Sequence, residues 1–410
     1  MSVFAVKGDI CYSTSPAKIE ALNDGYVIVE AGRISGVTRN PPNISVHDYT
    51  GHIVIPGMTD LHTHAPQYPF RGLGMGMELL EWLDTLIFPE EGRYSDTSYA
   101  EQVYSSFAEA MRKSPTTRAV IFGTIHAHAA NILSAKMESS GLVSYVGKVS
   151  MNRNAPDYLT EANPLEAVES WLSDTASYTS TKPILTPRFT PSCTDELMSG
   201  LGELRKKYDL PVQSHLSENV SEVQWVKELC PDSRSYADTY DRYGLLEAPS
   251  IMAHCVHLTD EEAGLLKERG TFIAHCPQSN MNLSSGIAPV RRYMNMGMNI
   301  GLATDVAGGM YISMFRAVAD AVGVSKLRSV LAEKEEPLTF EEAFYLATMG
   351  GGKFFGLAGS FMPGYEADIL VLSATDSRHS NLRERLEREI CLAGDDVELS
   401  AKYAAGRKLF

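Results

Sequence analysis

No apolar run in the 410 residues approaches the roughly 20 that a bilayer-spanning helix requires, and the opening Met-Ser-Val-Phe-Ala-Val-Lys-Gly lacks the basic-then-apolar order of a secretory leader. A cytoplasmic protein is expected. Cysteine is sparse: Cys11, Cys193, Cys230, Cys255, Cys276 and Cys391 are scattered without a Cys-x-x-Cys pair, which argues against a disulfide framework and a thiolate metal site and predicts buried, reduced thiols. Positive charge is also short. The 36 Lys and Arg stand against 51 Asp and Glu, for a net charge of -15, with no extended basic run, so nucleic-acid polymers and anionic membranes are poor partners. Internal repeats and low-complexity tracts of useful length are absent too. What remains, 44% apolar and 21% charged residues, is the composition of a folded globular chain.

The length accommodates one barrel of about 250 residues plus a smaller module, or two doubly wound domains. Between about Gly51 and Gly352, eight short apolar runs alternate with stretches of helical spacing: His52–His64, Arg118–His126, Leu142–Asn152, Pro183–Phe189, Pro211–His215, Ser250–His254, Thr271–His275 and Asn299–Asp305. Tyr99–Lys113 and Ser217–Leu229 read as amphipathic helices between them. Eight strand-helix units are what a closed α/β barrel, a (β/α)8 TIM-like barrel, requires. The two ends of the chain (Tyr26-Val-Ile-Val-Glu-Ala-Gly-Arg-Ile, Asp368-Ile-Leu-Val-Leu and Lys402-Tyr-Ala-Ala-Gly-Arg-Lys) alternate like strands and are expected to pair into one small β-module. The predicted division is residues 1–55 and 361–410 for that module and 56–360 for the barrel.

Most of the runs stop on His, Arg, Asn or Asp, and in such a barrel the carboxyl ends of the strands open into one mouth. His62 and His64, two apart on a strand, point to the same face. With His215, His254 and Asp305 they form a converging set of nitrogen and carboxylate donors suited to a catalytic Zn²⁺ with one open position. His254 is either a ligand or a hydrogen-bond partner of the water. Glu218, three residues beyond His215, reads equally as a carboxylate swung into the mouth or as a first-turn helix residue favoured by the helix dipole. His126 and His275 end runs without a partner at ligand spacing and are expected on the pocket wall; His128, His257, His47, His52 and His379 are expected in loops or at the surface.

Pro56-Gly-Met-Thr-Asp-Leu-His-Thr-His, His215-Leu-Ser-Glu and Gly301-Leu-Ala-Thr-Asp together resemble the amidohydrolase superfamily, which implies a (β/α)8 barrel with a composite β-sandwich from both chain ends. His64-Ala-Pro-Gln-Tyr, Leu80-Glu-Trp-Leu, Phe88-Pro-Glu-Glu, Leu185-Thr-Pro-Arg-Phe and Ile273-Ala-His-Cys-Pro-Gln-Ser-Asn are similar to its guanine deaminase branch. The resemblance implies His62, His64, His215 and Asp305 as zinc ligands, His254 at the metal or its water, Glu218 as proton shuttle, and Gln67, Arg188 and Phe189 as the residues that read the base. It further implies one metal, since Arg188 stands where two-metal members carry a modified lysine. The expected reaction is hydrolytic deamination of guanine to xanthine and ammonia, by a homodimer with a small purine as its partner. The alternatives are a related deaminase or dechlorinase of another purine, a pterin or a triazine, and a non-catalytic scaffold.

Overall fold

The computed structural model describes residues 3–247, 249–332, 335–373, 381–393 and 398–410. The chain opens with β1 (Val3–Ser15), β2 (Lys18–Glu30), β3 (Arg33–Thr38) and β4 (Ser45–Pro56). In the second half of β2, Val27 and Val29 are buried while Tyr26 and Ile28 are half-exposed, the period of two expected of a sheet with one covered face. The barrel strands follow: β5 (Met58–His64), β6 (Thr116–Phe122), β7 (Val143–Gly147) with its short continuation β8 (Val149–Ser150), β9 (Thr181–Pro183) continued by β10 (Thr186–Pro187), β11 (Val212–Leu216), β12 (Ser250–His254), β13 (Phe272–His275) and β14 (Asn299–Leu302).

Two parallel four-stranded sheets, β5-β6-β7-β9 and β11-β12-β13-β14, close on each other at both seams. At one, the Leu185 N–H donates to Pro211 O and the Gln213 N–H to Leu185 O, each at 2.9 Å. At the other, the Asp305 N–H donates to His62 O (2.9 Å) and the His64 N–H to Val306 O (3.1 Å). The barrel interior is filled by Leu61, Val120, Ile184, Ile251, Ala253 and Ala274, a packed core rather than a pore. Helices cover the outside. Thr97–Lys113 buries Ala100, Val103, Tyr104, Phe107, Ala108 and Met111 at helical spacing, and Asp96 caps its start.

The chain then returns to the first sheet through β15 (Ile369–Leu372), β16 (Leu399–Ala404) and β17 (Arg407–Lys408), giving the order β17-β16-β15-β4-β1-β2-β3. Buried charge fastens this sheet to the barrel. Arg118 on β6 bonds Asp368 through Nε (2.5 Å) and Glu366 through Nη2 (2.5 Å), and the Lys402 ammonium donates to the carbonyls of Met111, Arg112 and Ser114, where the helix Thr97–Lys113 runs out of backbone partners. Among the described residues no helix is long and apolar enough to cross a membrane.

Four expectations need correction. The run His52–His64 is two strands: residues to Pro56 belong to the outer sheet, and the break falls at Gly57, where a Cβ would stand 2.1 Å from Thr117 Oγ1. The fourth run is two short strands, β9 paired with β7 and β10 with β8, each ending on a proline, Pro183 or Pro187, that has no N–H to give a ladder. His47 and His52 lie on β4 rather than in loops, His47 with its ring on Phe4 (4.8 Å) and Nδ1 2.7 Å from Tyr403 OH. Of the six free thiols, Cys11, Cys193, Cys255 and Cys276 are buried, but Cys230 is partly exposed and Cys391 is exposed on the helix Leu382–Leu392. His379 lies outside the described residues.

Candidate active site

The alternation of β5 turns His62 and His64 to one side, and His64 Nε2 comes within 3.2 Å of both His62 Nε2 and His215 Nε2. Asp305 Oδ1 lies 3.1 Å from His62 Nε2 and 3.4 Å from His64 Nε2. His254 Nε2 stands further off, 3.8 Å from Asp305 Oδ2 and 3.4 Å from Glu218 Oε2. Left-handed backbone at two non-glycine positions, His254 (φ 70°) and Asp305 (φ 47°), sets these side chains in the mouth.

The donor chemistry of this cluster fits a cation. His215 Nδ1 donates to Arg188 O at 2.6 Å, so its Nε2 presents a lone pair to the cluster. Burial first, then the neighbouring imidazoles, hold His64 and His215 well below the usual histidine range, so both are neutral. Burial alone would raise Asp305, but the surrounding imidazoles keep it well below the carboxylate range and ionised. Ligand nitrogens on a tetrahedral ion with metal–nitrogen bonds of about 2.0–2.1 Å lie roughly 3.3 Å apart, close to the spacing found. The groups His62/His64/His215 and His62/His254/Asp305 each have the separation of a metal site.

Glu218 is not a first-turn helix residue. The helix begins at Val220 behind the cap Asn219, and the first-turn carboxylate is Glu222. Glu218 is instead buried in the mouth, Oε1 accepting from Ser285 Oγ (3.1 Å) and Oε2 facing His254. Burial, then the charges of Asp305 and Glu222, push it well above the ordinary carboxylate range. Its backbone N–H is held by Glu222 Oε2 (2.8 Å), and the Tyr236 hydroxyl fixes the other Glu222 oxygen (2.5 Å).

One pocket gathers His64, Gln67, Arg188, Phe189, His215, Glu218, His254 and Asp305. Phe189 forms one apolar wall, set edge-on to Trp225. Leu79, Trp82 and Leu83 form another, on a helical segment that passes from Leu79–Trp82 through a π-turn (Leu83–Ile87) into Phe88–Gly92. The π-turn precedes Pro89, which has no N–H to give the preceding turn. Arg188 lines the pocket and is also ion-paired: Nη1 and Nη2 hold both oxygens of buried Glu91 at 2.5 and 3.1 Å. Gln67 donates to Glu91 Oε1 (3.2 Å) and accepts from the Ala307 N–H (3.2 Å).

Several residues of this site carry no role in the sequence reading. Asp60 shares the face of His62 and His64 by the same alternation; it accepts from the Thr304 N–H (3.0 Å) and hydroxyl (2.5 Å) and the His62 N–H (3.2 Å), and burial lifts it to about 6. Asn280 Oδ1 accepts from His254 Nδ1 (2.9 Å). The wall histidines separate. His275 is buried on β13 and lowered by burial and by His254 to about 3, whereas His126 lies beyond β6, at the cap of the helix Ala127–Ser140; neither is among the residues gathered in the pocket. His257 is half-buried with Nε2 2.7 Å from Ser285 O, and His128 is exposed.

The amidohydrolase family matches residues 53–393. The guanine deaminase of Dictyostelium discoideum is 35% identical over 98% of this chain and 97% of its own length, and that of Mus musculus is 40% identical over 87% and 82%. The crystal structure of guanine deaminase from C. acetobutylicum with bound guanine in the active site superposes with a TM-score of 0.97 at 41% identity, covering all of both chains. With the family match spanning most of the chain and near-complete relatives above 30% identity, the protein belongs to the amidohydrolase family, in its guanine deaminase branch.

Proposed function

We propose that this chain hydrolyses guanine to xanthine and ammonia in the cytoplasm, as a homodimer with one zinc per chain, and that its β-module and barrel divide near residues 55 and 360. The observation that carries the reaction is the meeting, in one buried pocket, of a histidine-aspartate donor cluster, a carboxyl group held in its acid form and an arginine at the recognition end. His62, His64, His215 and Asp305 would hold the ion. Such an ion supplies the Lewis acidity that makes water a nucleophile near neutral pH.

The chain does the remaining work. Asp305 Oδ2, turned away from His62 and toward His254, accepts the proton that the attacking water gives up, and His254 orients that water through Nε2, whose lone pair is free because Nδ1 donates to Asn280. Glu218, with a proton on the oxygen facing His254, delivers it to the ring nitrogen beside the carbon under attack. That carbon loses its aromatic conjugation as the oxygen adds; the proton that Asp305 took from the water then passes to the amine, which leaves as ammonia, and the added oxygen gives its remaining proton back to Glu218. Arg188 and Gln67 present N–H donors to the oxygen-bearing edge of the base, and Phe189 lies along its flat face.

Ammonia release measured over purines, pyrimidines, a pterin and a triazine, together with metal analysis, tests the reading. Guanine is turned over fastest, chelation abolishes turnover, and the protein carries about one zinc. A faster non-purine substrate, or full activity without metal, overturns it.

A further inference from the structure

Glu91 has no exposed surface, and three of the N–H groups that face the recognition end converge on it. An ionised carboxylate at such depth is costly unless each lone pair is met, and here Arg188 meets both oxygens and Gln67 adds a third bond. The reverse dependence is stronger. Arg188 is 3% exposed and its guanidinium is always charged; the Phe88 ring, 5.4 Å away, offers no counter-ion. Of the five N–H donors of the guanidinium, Glu91 takes two and thereby fixes the plane in which the remaining three lie. The Gln67 amide is pinned at both ends, nitrogen to Glu91 and oxygen to the Ala307 N–H, which assigns its orientation and leaves one N–H over.

The same bonds run on into the donor cluster. The Arg188 carbonyl accepts from His215 Nδ1, and Ala307 is two residues from Asp305. Glu91 therefore closes a chain of contacts, His215 to Arg188 to Glu91 to Gln67 to Ala307, that ties the recognition end to both sides of the cluster.

We infer that Glu91 is the specificity-determining positioning residue of this site: it cancels the charge of Arg188 and aims the unused donors of Arg188 and Gln67 at a carbonyl oxygen on an uncharged base. This inference rests on guanine being the substrate. An uncompensated arginine would favour any anion that entered; the paired one offers directed donors with no net charge, and a ring without the oxygen leaves those donors unmet, which is the kind of mismatch that discriminates strongly.

The test compares guanine with 2-aminopurine, which keeps the amino group to be released and lacks the oxygen, using the full-length zinc-loaded protein. Wild type favours guanine in kcat/KM. Glu91→Gln brings the ratio at least tenfold closer to one, chiefly through a raised KM for guanine, and Glu91→Asp, which retains the charge but withdraws the carboxylate by one methylene, gives an intermediate ratio. Equal slowing of both bases in both variants, with the ratio unchanged, overturns the inference and leaves Glu91 a structural residue. If Glu91→Gln does not fold, Glu91→Asp decides alone, with a threefold change in the ratio as the threshold. If wild type deaminates neither base, the functional reading fails separately, and the ratio of dissociation constants for the two bases, measured by calorimetry in wild type and Glu91→Asp, then decides the role of Glu91.

Discussion

The pair Glu218 and Asp305 has two carboxyls in one buried mouth with opposite tendencies: burial and two neighbouring carboxylates push Glu218 up toward its acid form, while the imidazoles, against burial, pull Asp305 down toward its ionised form. Environments that push two acids apart in this way assign donor and acceptor roles. Replacement of Glu218 by Gln should keep fold and zinc content but lower kcat by at least about 100-fold, the usual scale for a lost general acid or base; circular dichroism, metal analysis and steady-state kinetics check this, and wild-type turnover would return Glu218 to a structural role. At this scale the sequence was legible where periodicity or spacing acts. His62 and His64 follow from local pattern. Ser285 and Asn280 do not, because each reaches its partner, Glu218 or His254, across a loop whose path only the folded barrel fixes. Arg188 was read from the sequence as a residue that faces the base. Its counter-ion, Glu91, was not legible because it is 97 residues away in sequence.

Among the elements, strands β5, β6 and β11 to β14 follow runs visible in the sequence, while β9 and β10 are short pieces held in place by neighbours. One such tie is Glu138 at the end of the helix Ala127–Ser140. It accepts five bonds, from the N–H and hydroxyl of Thr179 and of Ser180 and from the N–H of Thr181, where β9 begins. Burial is the largest single influence and pushes its pKa up, but the donors together outweigh it and lower the pKa from 4.5 to about 2. A depressed carboxylate stabilises fully above its unfolded-state pKa and loses that contribution as pH falls through the folded one, so the window runs from about 4.5 down to about 2. Glu138→Gln should cost about 1 kcal/mol at neutral pH, after discounting for solvent screening. Its deficit relative to wild type should shrink as the pH is lowered through that window. Thermal melts at pH 7, 4 and 3 check the sign, and a deficit independent of pH would show that the charge of Glu138 is not what holds β9.

For the whole molecule, the outer sheet and barrel meet through charge as well as apolar packing. Arg118, on the half of β6 away from the mouth, is 2% exposed and grips Asp368 and Glu366 from the returning chain. Arg118→Met should destabilise the protein by about 3–5 kcal/mol, because Asp368 stays buried without its partner, while the folded fraction keeps kcat within about twofold; conservation at that end of a barrel strand is a matter of stability, not chemistry. Denaturant melts and active-site-normalised kinetics measure the two effects. That both ends of the chain enter one sheet was readable from their alternation, but the strand order was not, since alternation identifies strands and says nothing of which neighbours pair.

That order has a consequence for biosynthesis. β4 pairs on one side with β1, already made, and on the other with β15, made only after the entire barrel. At about 5–20 residues per second, a ribosome leaves that edge of β4 bare for roughly 15–60 s, with Ile53, Val54 and Ile55 on it. Each nascent chain thus carries an exposed, apolar strand edge for most of its own translation, and in a polysome adjacent copies carry the same edge at the same time.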